Sequence, residues 1–238
     1  YTGAFNNKNV GTGKTVTITP TYFGADVGNY SISNHSTITA DVAVKALTAT
    51  ASTANKVYDA SNTATTSLTF SGLVGTETLG QTVGSTFDNK NVGTGKTVTV
   101  NSITLADGSN GGLAANYSIS PGQTSTANVT AKVLTATAST ANKVYDSTTL
   151  ANTTLSLSGL IGSETLNVTA NSTFDNKNVG SGKTVTVNSI TLADGTNGGL
   201  ATNYTIATGQ TTTATVTAKA LIVSGITASN KSYDTTTS

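Results

Sequence analysis

One module is written into this chain more than once, and that repetition limits the fold before any single residue is weighed. FNNKNVGTGKTVTI begins at Phe5, FDNKNVGTGKTVTV at Phe87 and FDNKNVGSGKTVTV at Phe174. Residues 47–133 overlay residues 134–220 without a gap, at the 87-residue spacing that separates Phe87 from Phe174. The chain therefore reads as an array. Residues 47–133 and 134–220 are complete modules, 1–46 is the C-terminal part of a truncated module, and 221–238 is the N-terminal part of another. A tandem array supplies length, valency or a repeated surface, whereas a catalyst needs one site.

Threonine fills 52 of the 238 positions, and the twelve basic residues are all lysine, set against eleven acids. The chain is polar but barely charged. Val, Ile, Leu, Phe and Tyr recur at fixed places in each copy, and β-branched residues favour extended backbone, so the modules are expected to fold. A module this small has a small core that depends on its aromatics. These are Tyr58, Phe70, Phe87 and Tyr117 in one copy, and Tyr145, Phe174 and Tyr204 in the next. No lysine cluster forms a nucleic-acid footprint. The longest aliphatic run, from Leu221 to Val223, is far too short to span a membrane. Without cysteine there is neither a disulfide framework nor a thiolate metal site. Joined with the tandem repetition and a Thr/Asn/Gly-rich surface whose only basic residue is lysine, the absence of cysteine fits a bacterial surface protein that crosses membranes unfolded.

Within one module the periodicity is that of strands. LTATAST from Leu134 alternates Leu or Ala with Thr, and TVTVNSITL from Thr184 alternates strictly. NYTIAT and TTTATVTAK close the module. Gly, Asn and Asp clusters between these runs mark turns, giving about six to eight short strands and no amphipathic helix. Solenoid coils repeat at about 20–30 residues, and no such subperiod lies inside the module. The predicted fold is all-β: tandem Ig-like antiparallel β-sandwich modules. TAKVLTATA joins one module to the next without a Gly/Ser linker, which predicts a stiff joint. The first copy reaches its Asn-Tyr through TYFGADVGNY, five residues shorter than the later copies, so that loop is expected to be exposed.

Several motifs invite chemistry. GTGKT from Gly93 and GSGKT from Gly180 suggest a phosphate loop, but the first glycine of that motif is absent and a strand follows instead of a helix. They read as glycine turns feeding strands. In KVYD, alternation places Lys143 and Tyr145 on one face and Val144 and Asp146 on the other; Tyr145 reads as a core plug and Asp146 as a loop cap. DGSNGG from Asp107 and DGTNGG from Asp194 offer one carboxylate each, too few for calcium. Glu77 and Glu164, one per complete copy, read as lying in exposed turns, and on that ground no Lys–Asn isopeptide bond is expected. The single histidine, His35, is replaced by Gly122 and Gly209 in the other copies, so no histidine triad or metal site can recur. Asn116, Asn128 and Asn203 sit in sequons at the frequency that a Thr-rich chain produces by chance. No catalytic, cofactor-binding or metal-ligating residue is assigned, and no cofactor.

KVYD at Lys56 and Lys143, KSYD at Lys231, the KNVGTGKTVTV segments and GADVGNY from Gly24 together resemble the YDG (Tyr-Asp-Gly) repeat domain. That family, similar to the MBG repeats, occurs in large bacterial surface adhesins of the filamentous-haemagglutinin type. The glycine of the motif is replaced by Ala60, Ser147 and Thr235, so the turn after the aspartate is expected not to need positive φ. The resemblance implies an extracellular, all-β repeat without catalysis, forming the stalk of a surface adhesin or an extracellular filament. The alternative is a repeated module that binds a glycan or host ligand. Expected partners are neighbouring copies of the module, with lateral self-association or cell-surface glycans beyond them; no nucleic acid and no membrane span are expected.

Overall fold

The computed structural model describes residues 1–33 and 37–237, so His35 lies outside the described residues. The fold is all-β and falls into two compact units, Tyr1–Ala131 and Lys132–Ser238.

In the first unit, Thr2–Phe5, Gly11–Thr19 and Thr37–Val42 form a three-stranded antiparallel sheet. The complete module that follows has a larger and a smaller sheet, and its Tyr117–Ser118 pairs in parallel with Lys45–Ala46. The larger runs in the order Lys56–Val57, Thr124–Thr130, Gly93–Asp107, Leu79–Phe87, Thr63–Ala64. The smaller pairs Thr48–Thr53 with Thr66–Ser71. The second unit repeats the plan. Its larger sheet is Lys143–Val144, Thr211–Thr217, Gly180–Asp194, Leu166–Phe174, Leu150–Ala151. Its smaller one is Thr153–Ser158, Lys132–Thr140, Tyr204–Ile206.

The strict alternation of TVTV puts Val98 and Val100 in the core while Thr97 faces solvent. The same module buries Tyr58, Leu68, Phe87, Ala127 and Val129. The second unit buries Phe174, Val185, Ala214 and Val216 as one cluster, with Tyr145 packed against it. Phe87 and Phe174 are buried at equivalent places, as are Tyr117 and Tyr204. Phe70 is only half-buried.

Two details differ from the sequence reading. The sheets are not wholly antiparallel: Lys56–Val57 runs parallel to Thr124–Thr130, and Lys132–Thr140 parallel to Tyr204–Ile206. In each case the partners are far apart in sequence, so no tight hairpin forces opposite directions. Nor do the GTG and GSG segments precede a strand as turns. They lie inside Gly93–Asp107 and Gly180–Asp194, where the register slips between Gly93 and Lys96 and between Gly180 and Lys183. Gly95 and Gly182 supply the positive φ (59° and 61°) that these bulges need. No helix among the described residues is long and apolar enough to cross a membrane.

Candidate functional site

The twelve lysines are four positions written three times, and two of those positions act as internal cations. The first ends the GxGK motif. The bulge turns Lys96 inward until its side chain is 8 % exposed, and its ammonium meets Asp88 Oδ1 at 2.7 Å and Asn89 Oδ1 at 2.8 Å. Lys183 does the same with Asp175 at 2.7 Å and Asn176 Oδ1 at 2.6 Å. Lys14 donates to Asn7 Oδ1 and to the carbonyl oxygens of Asn7 and Asn9. A buried ammonium costs free energy unless its three donors are met. Here the oxygens that meet them belong to the loop that the lysine closes. The same asparagine oxygen also takes the backbone N–H two residues on, from Asn9, Asn91 or Asn178, at 3.0 Å each time. The lysine of GxGK thus fixes the shape of the preceding NKNV loop.

That geometry also bears on the isopeptide expectation. Lys96 is within reach of Asn89, but the acid at hand is Asp88, whose hydrogen bond from Lys96, opposed by burial, holds it below the usual carboxylate range. Asp88 is an ion-pair acceptor and supplies no proton to a leaving ammonia.

The second position begins KVYD. Lys56 Nζ reaches Asp59 Oδ1 at 2.7 Å, the Ser61 carbonyl at 2.9 Å and the Thr63 carbonyl at 3.0 Å, and it stands 5.6 Å from the centre of the Phe87 ring. Lys143 repeats this with Asp146, Thr148 and Leu150 over Phe174. Charge-assisted bonds to three oxygens and an aromatic face staple an otherwise irregular loop to the core. The sequence reading put Lys143 and Asp146 on opposite faces. They are 2.8 Å apart, because the strand ends at Val144 and alternation does not extend past it.

The turn after the aspartate also corrects that reading. Ala60, Ser147 and Thr235 have φ of 62°, 66° and 65°, so the position does adopt the left-handed conformation that glycine favours. The aspartate imposes it: Asp59 Oδ1 accepts the Ser61 N–H at 2.9 Å while it holds Lys56. Asp146 binds Thr148 likewise. The hydrogen bond from Lys143, then those from Thr148, draw the Asp146 carboxyl down to about 2.

The DGSNGG loop is a compact turn. Asp107 Oδ1 accepts the Ala114 N–H at 2.8 Å, as Asp194 accepts that of Ala201, so each carboxylate closes its own loop. The loop lies on the Thr78 backbone so closely that a Cβ at Gly108 or Gly112 would stand 2.1 or 2.0 Å from the Thr78 carbonyl oxygen. This contact places Asn116 and Tyr117 beside Glu77.

Glu77 is the largest departure from the sequence reading. Its side chain is 10 % exposed, and Glu164 is buried at 7 %. The Tyr117 hydroxyl donates to Glu77 Oε2 at 2.6 Å and accepts the Val74 N–H at 3.1 Å. Tyr204, Glu164 and Ile161 repeat both bonds. In the first unit the other oxygen of Glu77 takes Lys8 of the preceding copy at 2.7 Å. Beside this pair, the Val10 N–H donates to Asn116 Oδ1 at 2.9 Å and Asn116 Nδ2 donates to Asn9 Oδ1 at 3.2 Å. The Lys8 hydrogen bond first, then that of Tyr117, hold Glu77 below the usual carboxylate range against the effect of burial, and Glu77 raises Lys8 and Tyr117 in turn.

Residues 1–46 and the first complete module thus meet at a cluster in which Lys8 donates to Glu77, the Val10 N–H donates to Asn116, Asn116 donates to Asn9 and Tyr117 orients Glu77, beside the parallel pairing of Lys45–Ala46 with Tyr117–Ser118. Asn116 engages both ends of its amide there. The sequence reading missed the cluster, although polar residues identical in every copy and lying in loops are a signal for it.

No curated protein and no solved structure matches the chain. A family model, the YDG domain, matches it three times, over residues 1–40, 43–127 and 130–214. These repeats cover nearly the whole sequence, and the chain belongs to the YDG domain family.

Proposed function

We propose that the chain is part of the stalk of a bacterial cell-surface adhesin or extracellular filament, a structural role without catalysis. The observation that carries this reading is the joint between residues 1–46 and the first complete module, where one copy's NKNV loop is held by the next copy's Glu77, Asn116 and Tyr117. Both complete copies carry both halves in their sequence. Glu77, Asn116 and Tyr117 are followed by Lys90, Asn91 and Val92, and Glu164, Asn203 and Tyr204 by Lys177, Asn178 and Val179. A module that joins head to tail by the same residues each time builds a fibre whose length is set by copy number. The resemblance to YDG repeats of filamentous-haemagglutinin-type adhesins supports a place on the outside of the cell. The partners are neighbouring copies of the module.

The test is surface labelling. Antibody raised against residues 47–220 should bind intact cells that express the parent protein, and protease added outside should remove the epitope. Labelling only after permeabilisation would refute the reading.

A further inference from the structure

The second unit presents an NKNV loop with the same internal scaffold as the one seated in the first. Asn178 N–H donates to Asn176 Oδ1 at 3.0 Å, as Asn9 N–H does to Asn7 Oδ1. Lys183 closes the loop through Asn176 and Asp175, as Lys14 closes its own through Asn7 and Asn9. The difference lies in what covers the edge. Asn9 and Val10, seated on Asn116, are half-buried, whereas Asn178 is exposed and Val179 is 56 % exposed; Lys8 and Lys177 are exposed alike.

We infer that Lys177, Asn178 and Val179 form a preset docking edge whose occupant is a further YDG module, received through its equivalents of Glu77, Asn116 and Tyr117. The inference rests on the stalk reading and adds to it the residues that choose the partner. Each group on the edge has a stated counterpart. The Lys177 ammonium pairs with the incoming glutamate, which that module's tyrosine hydroxyl already orients. The Val179 N–H donates to the incoming asparagine's Oδ1, and that asparagine's Nδ2 donates to Asn178 Oδ1. The loop is rigid before the partner arrives, because its lysine holds it from within, so little ordering entropy is lost on docking. The ligand is specific: a surface lacking a carboxylate beside a side-chain amide leaves the Val179 N–H and the Lys177 ammonium unmatched.

The experiment uses the present chain and the same chain lengthened by one further copy of residues 134–220 placed after Ala220, a sequence that is folded in the second unit. Hydrogen exchange at the Val179 amide is followed in both. The lengthened chain should exchange that amide about tenfold more slowly or better, the factor that one hydrogen bond near the upper end of its net worth supplies. Replacing the added copy's equivalent of Asn203 by Ala should restore fast exchange. Lys177→Met, a change at an exposed side chain, should speed exchange without unfolding either module. Equal exchange at Val179 in the two chains, or no response to Lys177→Met in the longer one, overturns the docking edge. The maximum dimension from small-angle scattering separates this failure from that of the stalk reading. A dimension that grows with the added copy while Val179 is unchanged leaves the stalk without this joint. A protected Val179 with no growth leaves the joint without the stalk.

Discussion

Ala60, Ser147 and Thr235, one position in three copies, carry local strain, because an L-residue in the left-handed region costs about 1–2 kcal/mol. The Asp-centred cage holds them there. Ala60→Gly should relieve that cost and, after the larger backbone entropy that glycine loses on folding, stabilise the chain by about 0.5–1 kcal/mol. A lower urea midpoint for Ala60→Gly would contradict the cage as described. The cage also sets an acid response. The folded state holds the Asp146 carboxyl at about 2, below its ordinary value of about 3.9, so folding favours the ionised form. Its stabilisation is complete above the ordinary value and is lost as pH falls from about 4 through about 2. Urea titrations across that window should show stability falling, and Asp146→Asn should flatten the fall; an identical pH profile in the variant would count against the ion pair. Asp59, Asp88 and Asp175 shift the same way, so the flattening is partial. The buried aromatics Phe87, Phe174, Tyr117 and Tyr204 were legible in sequence because few other large side chains exist to fill a core. The cages were not, since alternation describes residues within a strand and the bond from Lys143 to Asp146 closes just beyond one.

Among the elements, the long strands followed from their pattern. TVTV alternates without a break, and Val98, Val100, Val185 and Val187 are buried as it requires. The edge pieces Lys56–Val57 and Leu150–Ala151 are two residues long, too short for any period to register. The bulge at Gly95 was hidden for a different reason: its glycines signal positive φ equally in a turn and in a strand, and the Gly95 N–H bond to Asn128 Oδ1 at 2.8 Å that anchors it spans distant sequence. Two predictions belong to this scale. Gly112→Ala should destabilise the first complete module by about 1–3 kcal/mol, the cost of forcing a side chain into a filled space, because its Cβ would meet the Thr78 carbonyl oxygen at 2.0 Å. An unchanged melting temperature would show that the DGSNGG loop is not packed as described. The NKNV loop should remain a hydrogen-bonded cage and not become a covalent one. The intact mass of the chain should equal that of its sequence, and a deficit of one ammonia per copy would contradict the role given to Asp88.

At the scale of the whole chain, the repeat was plain from three nearly identical segments, and the joint was not. Lys8 lies 69 positions from Glu77, and Val10 lies 106 from Asn116, separations across which no local pattern carries information. Only the recurrence of the same polar residues in loops pointed there. If the joint between residues 1–46 and the first complete module is the rule of the array, modules are added at a fixed step. Strands of about 6–10 residues rising about 3.3 Å each make that step about 25–40 Å with the loops included. Small-angle scattering on chains of two, three and four complete modules measures it directly. A maximum dimension that rises by one constant increment in that range for each module is the predicted result; a dimension that levels off, or increments that differ from one addition to the next, would contradict the stalk.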